Sequence, residues 1–140
     1  MKSLILIISM FIANSGVIAH DGGHHDPHAA DPSKRIEPIF AKSGAKTEPL
    51  YKGALTRNEE GIVRLSVYDA HTSAPTTKEF KKTAQGVLSA KNTKGLNFEL
   101  TLDGATYVGK APKPPKKPFN IDITLNDGTQ DLIVTFKKLD

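Results

Sequence analysis

The sequence predicts an all-β protein, an antiparallel β-sandwich of about seven short strands that is immunoglobulin-like, behind a disordered N-terminal tail. Apolar and polar residues alternate with a period of two through most of residues 50–136, which is the pattern of half-buried strands. Turn signals rich in Gly, Asn and Asp separate these segments at regular intervals. No segment has the apolar spacing of a long amphipathic helix.

Residues 1–19 have the three-part layout of a secretory signal peptide. Lys2 supplies a short positive start, residues 4–12 form an apolar run, and residues 17–19 offer small side chains at a cleavage site. The apolar run is shorter than the ~20 residues that span a membrane, so an N-terminal anchor is the less favoured alternative. Cleavage after residue 19 would make His20 the first mature residue. We therefore expect a periplasmic or secreted protein with no stable membrane span after cleavage.

Residues 20–35, HDGGHHDPHAADPSKR, form a histidine-rich segment. They contain no aliphatic side chain larger than Ala, so they cannot bury enough apolar area to offset the entropy of ordering, which predicts a flexible tail. Four of the five histidines lie within nine residues, with carboxylates between them. The predicted metal ligands are His20, His24, His25, His28, Asp21 and Asp26.

The chain has no cysteine, which excludes disulfides and thiolate metal sites. Imidazole and carboxylate ligands suit divalent Zn, Ni, Co or Cu, and the spacing does not select one of these metals. The tail sequence thus predicts divalent metal binding. The alternative is a solvated leader with no role.

A further candidate ligand, His71, lies in the predicted loop at residues 69–75. If His20 is the mature N-terminus, its α-amine and ring nitrogen could chelate Cu²⁺ together, and an imidazole from the folded domain would complete the site. His71 is the only histidine outside the tail. The alternative is an exposed loop histidine without a role.

The β-domain is predicted to cover residues 36–140. Within residues 62–68 we expect Val63, Leu65 and Val67 to face the core, followed by a loop. A polar turn is expected at residues 57–61. The predicted strands are residues 50–55, 62–68, 83–90, 96–102, 105–109, 119–125 and 132–136. Residues 76–80 are a conditional additional strand, and a short helical turn at residues 80–82 is the alternative.

A lysine- and proline-rich segment covers residues 110–118. Its prolines favour an extended backbone, and its four lysines would attract anionic lipid, polysaccharide or an acidic partner. A loop that is charged only for solubility is the alternative. Nucleic-acid binding is not expected, because no aromatic or Gly-rich recognition motif accompanies the lysines. No nucleophile elbow, phosphate loop or H-E-x-x-H helix is present, so we do not expect an enzyme.

Six segments together suggest a family. They are VRLSVYD (63–69), TAQGVL (83–88), FELTL (98–102), YVG (107–109), FNIDITL (119–125) and LIVTF (132–136). Across residues 50–137 this order resembles the small periplasmic β-sandwich proteins and domains that accompany heavy-metal efflux systems. The resemblance implies accessory work in metal resistance or homeostasis, with an efflux pump component as a partner.

The expected function is therefore a periplasmic or secreted accessory protein that buffers divalent metal ions or presents them to an efflux system. The alternative is an envelope protein–protein interaction module with no ordered metal site, which would use exposed strand edges or the segment at residues 110–118.

Overall fold

The computed structural model describes residues 34–44 and 48–140. All regular secondary structure in these residues is β-strand. The strands are β1 (Arg35–Ala41), β2 (Tyr51–Arg57), β3 (Ile62–Asp69), β4 (Thr83–Ala90), β5 (Leu96–Asp103), β6 (Thr106–Lys110), β7 (Phe119–Asn126) and β8 (Asp131–Leu139). The predicted signal peptide and nearly all of the predicted tail lie outside the described residues.

The eight strands form one closed barrel in the order β1-β2-β3-β6-β5-β4-β7-β8, with every neighbouring pair antiparallel. The all-β antiparallel prediction is confirmed. The immunoglobulin-like sandwich of seven strands is wrong, because β1 pairs with both β2 and β8 and so joins the two edges that a sandwich would leave open.

The β1–β8 seam is the shortest ladder of the barrel, with only the pairs Phe40↔Ile133 and Ala41↔Leu132. Lys42 N–H donates to the Asp131 carbonyl at 2.9 Å, and the Ile39 carbonyl accepts from Leu50 N–H on the β2 side at 2.9 Å. Successive residues of a strand point their backbone groups to opposite neighbours. Pro38 therefore faces β8, and since it has no N–H to donate, the ladder ends there.

The predicted strand at residues 76–80 is wrong. Phe80 N–H donates to the Thr77 carbonyl at 3.1 Å, which makes this segment a turn, and an isolated bridge joins Tyr68 to Pro75 just before it. Phe80 is nonetheless buried, at 8 % exposure. Phe80 therefore packs into the core although it lies in a loop. Local alternation of apolar and polar residues does not distinguish such a loop from a strand.

The core fills the barrel interior, as expected for eight strands, whose interior is just wide enough for side chains. Val63, Leu65 and Val67 are fully buried, which confirms the predicted inner face of β3. Opposite them, Gly86 and Phe98 are cross-strand partners, and the phenyl ring lies where a β-carbon on Gly86 would be. Within the described part of the chain, no polar or charged residue is classed as buried.

Two long connections cross the ends of the barrel, because β3 and β4, and likewise β6 and β7, are not neighbours. Residues 70–82 join β3 to β4 at one end, called here the His71 end. Residues 111–118 join β6 to β7 at the other, called the Arg57 end, where β1 also begins and β8 finishes. Loop residues that carry chemistry are thereby gathered at the two ends.

Candidate functional site

The predicted metal ligands divide between two parts of the chain. The structure describes His71 but none of the tail ligands. Those outside the described residues are His20, Asp21, His24, His25, Asp26 and His28. Across residues 34–44 and 48–140, no group of three or more His, Cys, Asp or Glu side chains is placed to hold a metal ion.

His71 is exposed on the loop that follows β3. Asp69 Oδ1 accepts the backbone N–H groups of His71 at 2.8 Å and Thr72 at 2.9 Å. These hydrogen bonds, with the Thr72 contribution the larger, lower the pKa of the Asp69 carboxyl. The carboxylate thus fixes the loop backbone. The barrel end that carries His71 is opposite the one where β1 begins at Arg35.

A second polar cluster at the His71 end joins β2 to the β7–β8 turn. Tyr51 hydroxyl donates to Asp127 Oδ2 at 3.2 Å, and Asp127 Oδ1 accepts from the backbone N–H groups of Thr129 at 2.9 Å and Gln130 at 3.0 Å. Burial raises the pKa of the Tyr51 phenol, and the charge of Asp127 raises it further. Desolvation acts to raise the pKa of Asp127, but the hydrogen bonds from Thr129 and Gln130 outweigh it, so that pKa is lowered. This arrangement ties a turn to the barrel wall.

Arg57 occupies the opposite end of the barrel. It continues the inward face of β2 after Gly53 and Leu55, both of which are buried, and its guanidinium carbon lies 5.3 Å from the centre of the Phe119 ring. Arg57 Nε is buried and has no hydrogen-bond partner among the described residues. An arginine at this position closes the core with a positive charge.

A groove of about 800 Å³ opens beside this arginine, between the β2–β3 turn and the β6–β7 connection. We call it the Arg57 groove. Its basic lining side chains are Arg57, Lys110, Lys113 and Lys117. Its acidic lining side chains are Glu59, Glu60 and Asp140. The groove therefore carries charges of both signs, with a basic majority.

Two hydrogen bonds fix the backbone of the β2–β3 turn and of the β6–β7 connection where they line the groove. Ala111 N–H donates to the Gly61 carbonyl at 2.9 Å, and Asn58 Oδ1 accepts the Ile62 N–H at 2.8 Å. Gly61 has φ +86°, and a β-carbon on it would lie 3.0 Å from the Ala111 carbonyl oxygen, so glycine is required where the turn meets the loop. The predicted lysine- and proline-rich segment is thereby fixed to the barrel at its first residues.

The expected polar turn at residues 57–61 is wrong at Arg57, which is the last residue of β2. The sequence analysis therefore does not include Arg57 among the candidate functional residues. The signal was present: Leu55, Thr56 and Arg57 alternate, and the alternation places Arg57 on the same side of the strand as Leu55. Comparison of the chain with protein-family models, with curated proteins and with solved structures finds no match. In the described part of the chain, no helix is long and apolar enough to cross a membrane.

Proposed function

We propose that this protein is a periplasmic or secreted accessory protein that binds a divalent transition metal ion, Zn, Ni, Co or Cu, through its histidine-rich segment. The observation that carries the proposal is the density of ligands in the sequence. Four imidazoles and several carboxylates lie within residues 20–31, and these are the groups that borderline divalent cations prefer. The barrel would carry this segment, and the bound ion would be buffered or presented to an efflux component.

Glycine supports the chelation geometry. Gly22 and Gly23 separate His20 from His24 and His25, and glycine allows backbone conformations that bring several rings onto one ion. A segment of this composition has to be ordered when it binds, which lowers its affinity. We therefore expect modest affinity and weak selectivity among the four metals.

Calorimetry on the mature chain tests the proposal. Replacing His20, His24, His25 and His28 with Asn keeps the polarity and removes the imidazoles, and we expect it to abolish the binding heat of Zn²⁺ and Ni²⁺. His71→Ala is the matched control for the loss of a single histidine outside the segment. Several-fold weakening in His71→Ala would add His71 to the ligand set, whereas unchanged affinity would confine the site to the segment. Full retention of binding in the four-histidine variant would refute the proposal.

The second candidate function is an envelope interaction module. It is supported by an apolar patch on the outer face of β1, where Ile36 is 60 % exposed and Pro38 is exposed beside it. Pro49 and Ala70 line the same groove, together with the charged residues Glu37 and Lys52. Outward positions of a barrel in water are usually polar, so a cluster of this kind is typical of a contact surface. Partner capture that survives deletion of residues 20–28 and chelation, and that is lost in Ile36→Lys, would favour this function over metal binding.

A further inference from the structure

We infer that the Arg57 groove is a binding site for a small organic oxyanion, a carboxylate or phosphate group, with the Arg57 guanidinium as its anchoring cation. The inference uses no residue of the histidine-rich segment, so it is independent of the proposed metal binding. It rests on the position of the guanidinium, on its unpaired donor, and on the charges around it.

The guanidinium packs on a buried aromatic ring, and Arg57 lines the groove. Phe119, which is fully buried, lies beneath it with 5.3 Å between the guanidinium carbon and the ring centre. On the other side, Arg57 Nη2 lies 4.0 Å from the position that a β-carbon on Gly61 would occupy, and Gly61 lines the groove. Nε is therefore buried, whereas Nη2 lies near the Gly61 backbone, which lines the groove. A planar fork fixed in this way is suited to two parallel hydrogen bonds to a carboxylate or phosphate.

Packing does not explain why the residue is an arginine. Nε has no hydrogen-bond partner in the described chain although it is buried, and a buried donor left unpaired opposes folding. A methionine would cover Phe119 without this penalty, because its thioether packs well on aromatic rings. The arrangement thus retains a charge at a cost in stability, which is typical of a residue kept for binding.

The lysines of the β6–β7 connection surround this anchor. Pro112 and Pro114 restrict the backbone between Lys110, Lys113 and the rest of the connection, and Ala111 fixes its start to the β2–β3 turn. Ammonium groups on flexible stems add attraction without a fixed geometry. They would hold the remainder of an anionic ligand whose first charged group sits on Arg57.

The acidic side chains indicate the size of the ligand. Glu59, Glu60 and Asp140 line the same groove as the four basic residues, so a long polyanion lying along it would meet repulsion as well as attraction. A compact molecule that places one or two anionic groups at Arg57 avoids this repulsion. A small carboxylate or phosphate compound therefore fits better than a nucleic acid or a sulfated polysaccharide.

Nuclear magnetic resonance on the metal-free full mature chain tests the inference. Malonate and inorganic phosphate are the two probes, and sodium chloride at matched ionic strength is the reference. We expect saturable shifts of the Arg57 Nε–Hε signal and of the Gly61 and Ala111 amides with at least one probe. Tighter binding of malonate identifies a carboxylate ligand, and tighter binding of phosphate identifies a phosphate compound.

Variants complete the test. Arg57→Met should weaken the bound probe by at least about tenfold, and Arg57→Lys, which keeps the charge without the fork, should also weaken it. Arg64→Met, on the exposed outer face of β3, is the matched control and should leave binding unchanged. Shifts that sodium chloride reproduces, or probe affinity that neither Arg57 variant changes, would overturn the inference. So would a sulfated polysaccharide that binds more tightly than both probes whether or not Arg57 is present.

Discussion

Replacing Arg57 with methionine should stabilise the barrel. The substitution removes the buried Nε, which has no hydrogen-bond partner in the described residues, and an unpaired buried donor costs about 1–3 kcal/mol. It also removes the contact between the guanidinium and Phe119, a cation–π interaction of about 0.5–1 kcal/mol. A methionine sulfur on the same ring returns about 0.3–1.5 kcal/mol. The central values of these three contributions sum to a rise of about 2 kcal/mol in the free energy of unfolding.

Urea denaturation of the metal-free chain measures this change. The dependence of the free energy on urea concentration should stay the same, because the surface exposed on unfolding hardly changes. Arg64→Met is the control, since Arg64 is exposed on the outer face, and it should alter stability by no more than about 0.5 kcal/mol. A fall of more than about 1 kcal/mol in the free energy of unfolding of Arg57→Met would show that Arg57 stabilises the barrel by packing. Arg57 would then not be retained for its charge at a cost in stability.

Four further predictions concern the barrel. Tyr107→Phe removes the hydroxyl that donates to the Lys81 carbonyl, which should cost about 1 kcal/mol in urea denaturation, and an unchanged midpoint would show that this bond contributes nothing. Burial raises the pKa of Tyr107 to about 12. The stability that the neutral Tyr107 phenol contributes is therefore complete below the ordinary phenol pKa of about 10 and is lost as the pH rises through about 12. An absorbance titration in which all phenols ionise together below pH 12 would contradict this prediction. Gly109→Ala would place a β-carbon against the backbone of Glu99 and Leu100, so we expect the free energy of unfolding to fall by about 1–3 kcal/mol. An unchanged midpoint of thermal unfolding would show that the β5 backbone moves away from the added β-carbon at no cost. Hydrogen bonds lower the folded-state pKa of Asp127. The stability that its carboxylate contributes is therefore present above the ordinary pKa of about 3.9 and is lost as the pH falls through the lowered pKa. Asp127→Asn should reduce the loss of unfolding free energy at acidic pH, and an identical loss in this variant would exclude Asp127 as its source.

The strands were predictable because their alternation is local. The residues from Ile62 to Asp69 already show which side chains face the core, and the structure places them as expected. Closure was not predictable, because the same alternation occurs in sandwiches and barrels and the difference depends on which distant strands pair. β1 decides between the two folds, and the sequence does not mark RIEPIFA as a strand, because Pro38 interrupts its pattern.

The candidate sites show the same limit. The ligands of the proposed metal site could be named from sequence because they lie within a few residues of one another. Side chains that are this close along the chain can reach one ion without a tertiary fold. The Arg57 groove combines a strand end, a turn, a distant loop and the last residue, Asp140. Only the order of strands in the closed barrel brings these parts to one end.

Native mass spectrometry of the protein with Zn²⁺, Ni²⁺, Co²⁺ and Cu²⁺ tests whether the histidine-rich segment binds a divalent metal ion. It reads whether residues 1–19 have been removed, how many ions are bound and which metal is preferred. We predict at least one bound ion that is retained near neutral pH and lost as the pH falls through about 6.5, where imidazoles protonate. It should be absent when four histidines are replaced with Asn: His20, His24, His25 and His28. A chain that binds none of the four metals, or a four-histidine variant that binds them as well as the native chain, would contradict it.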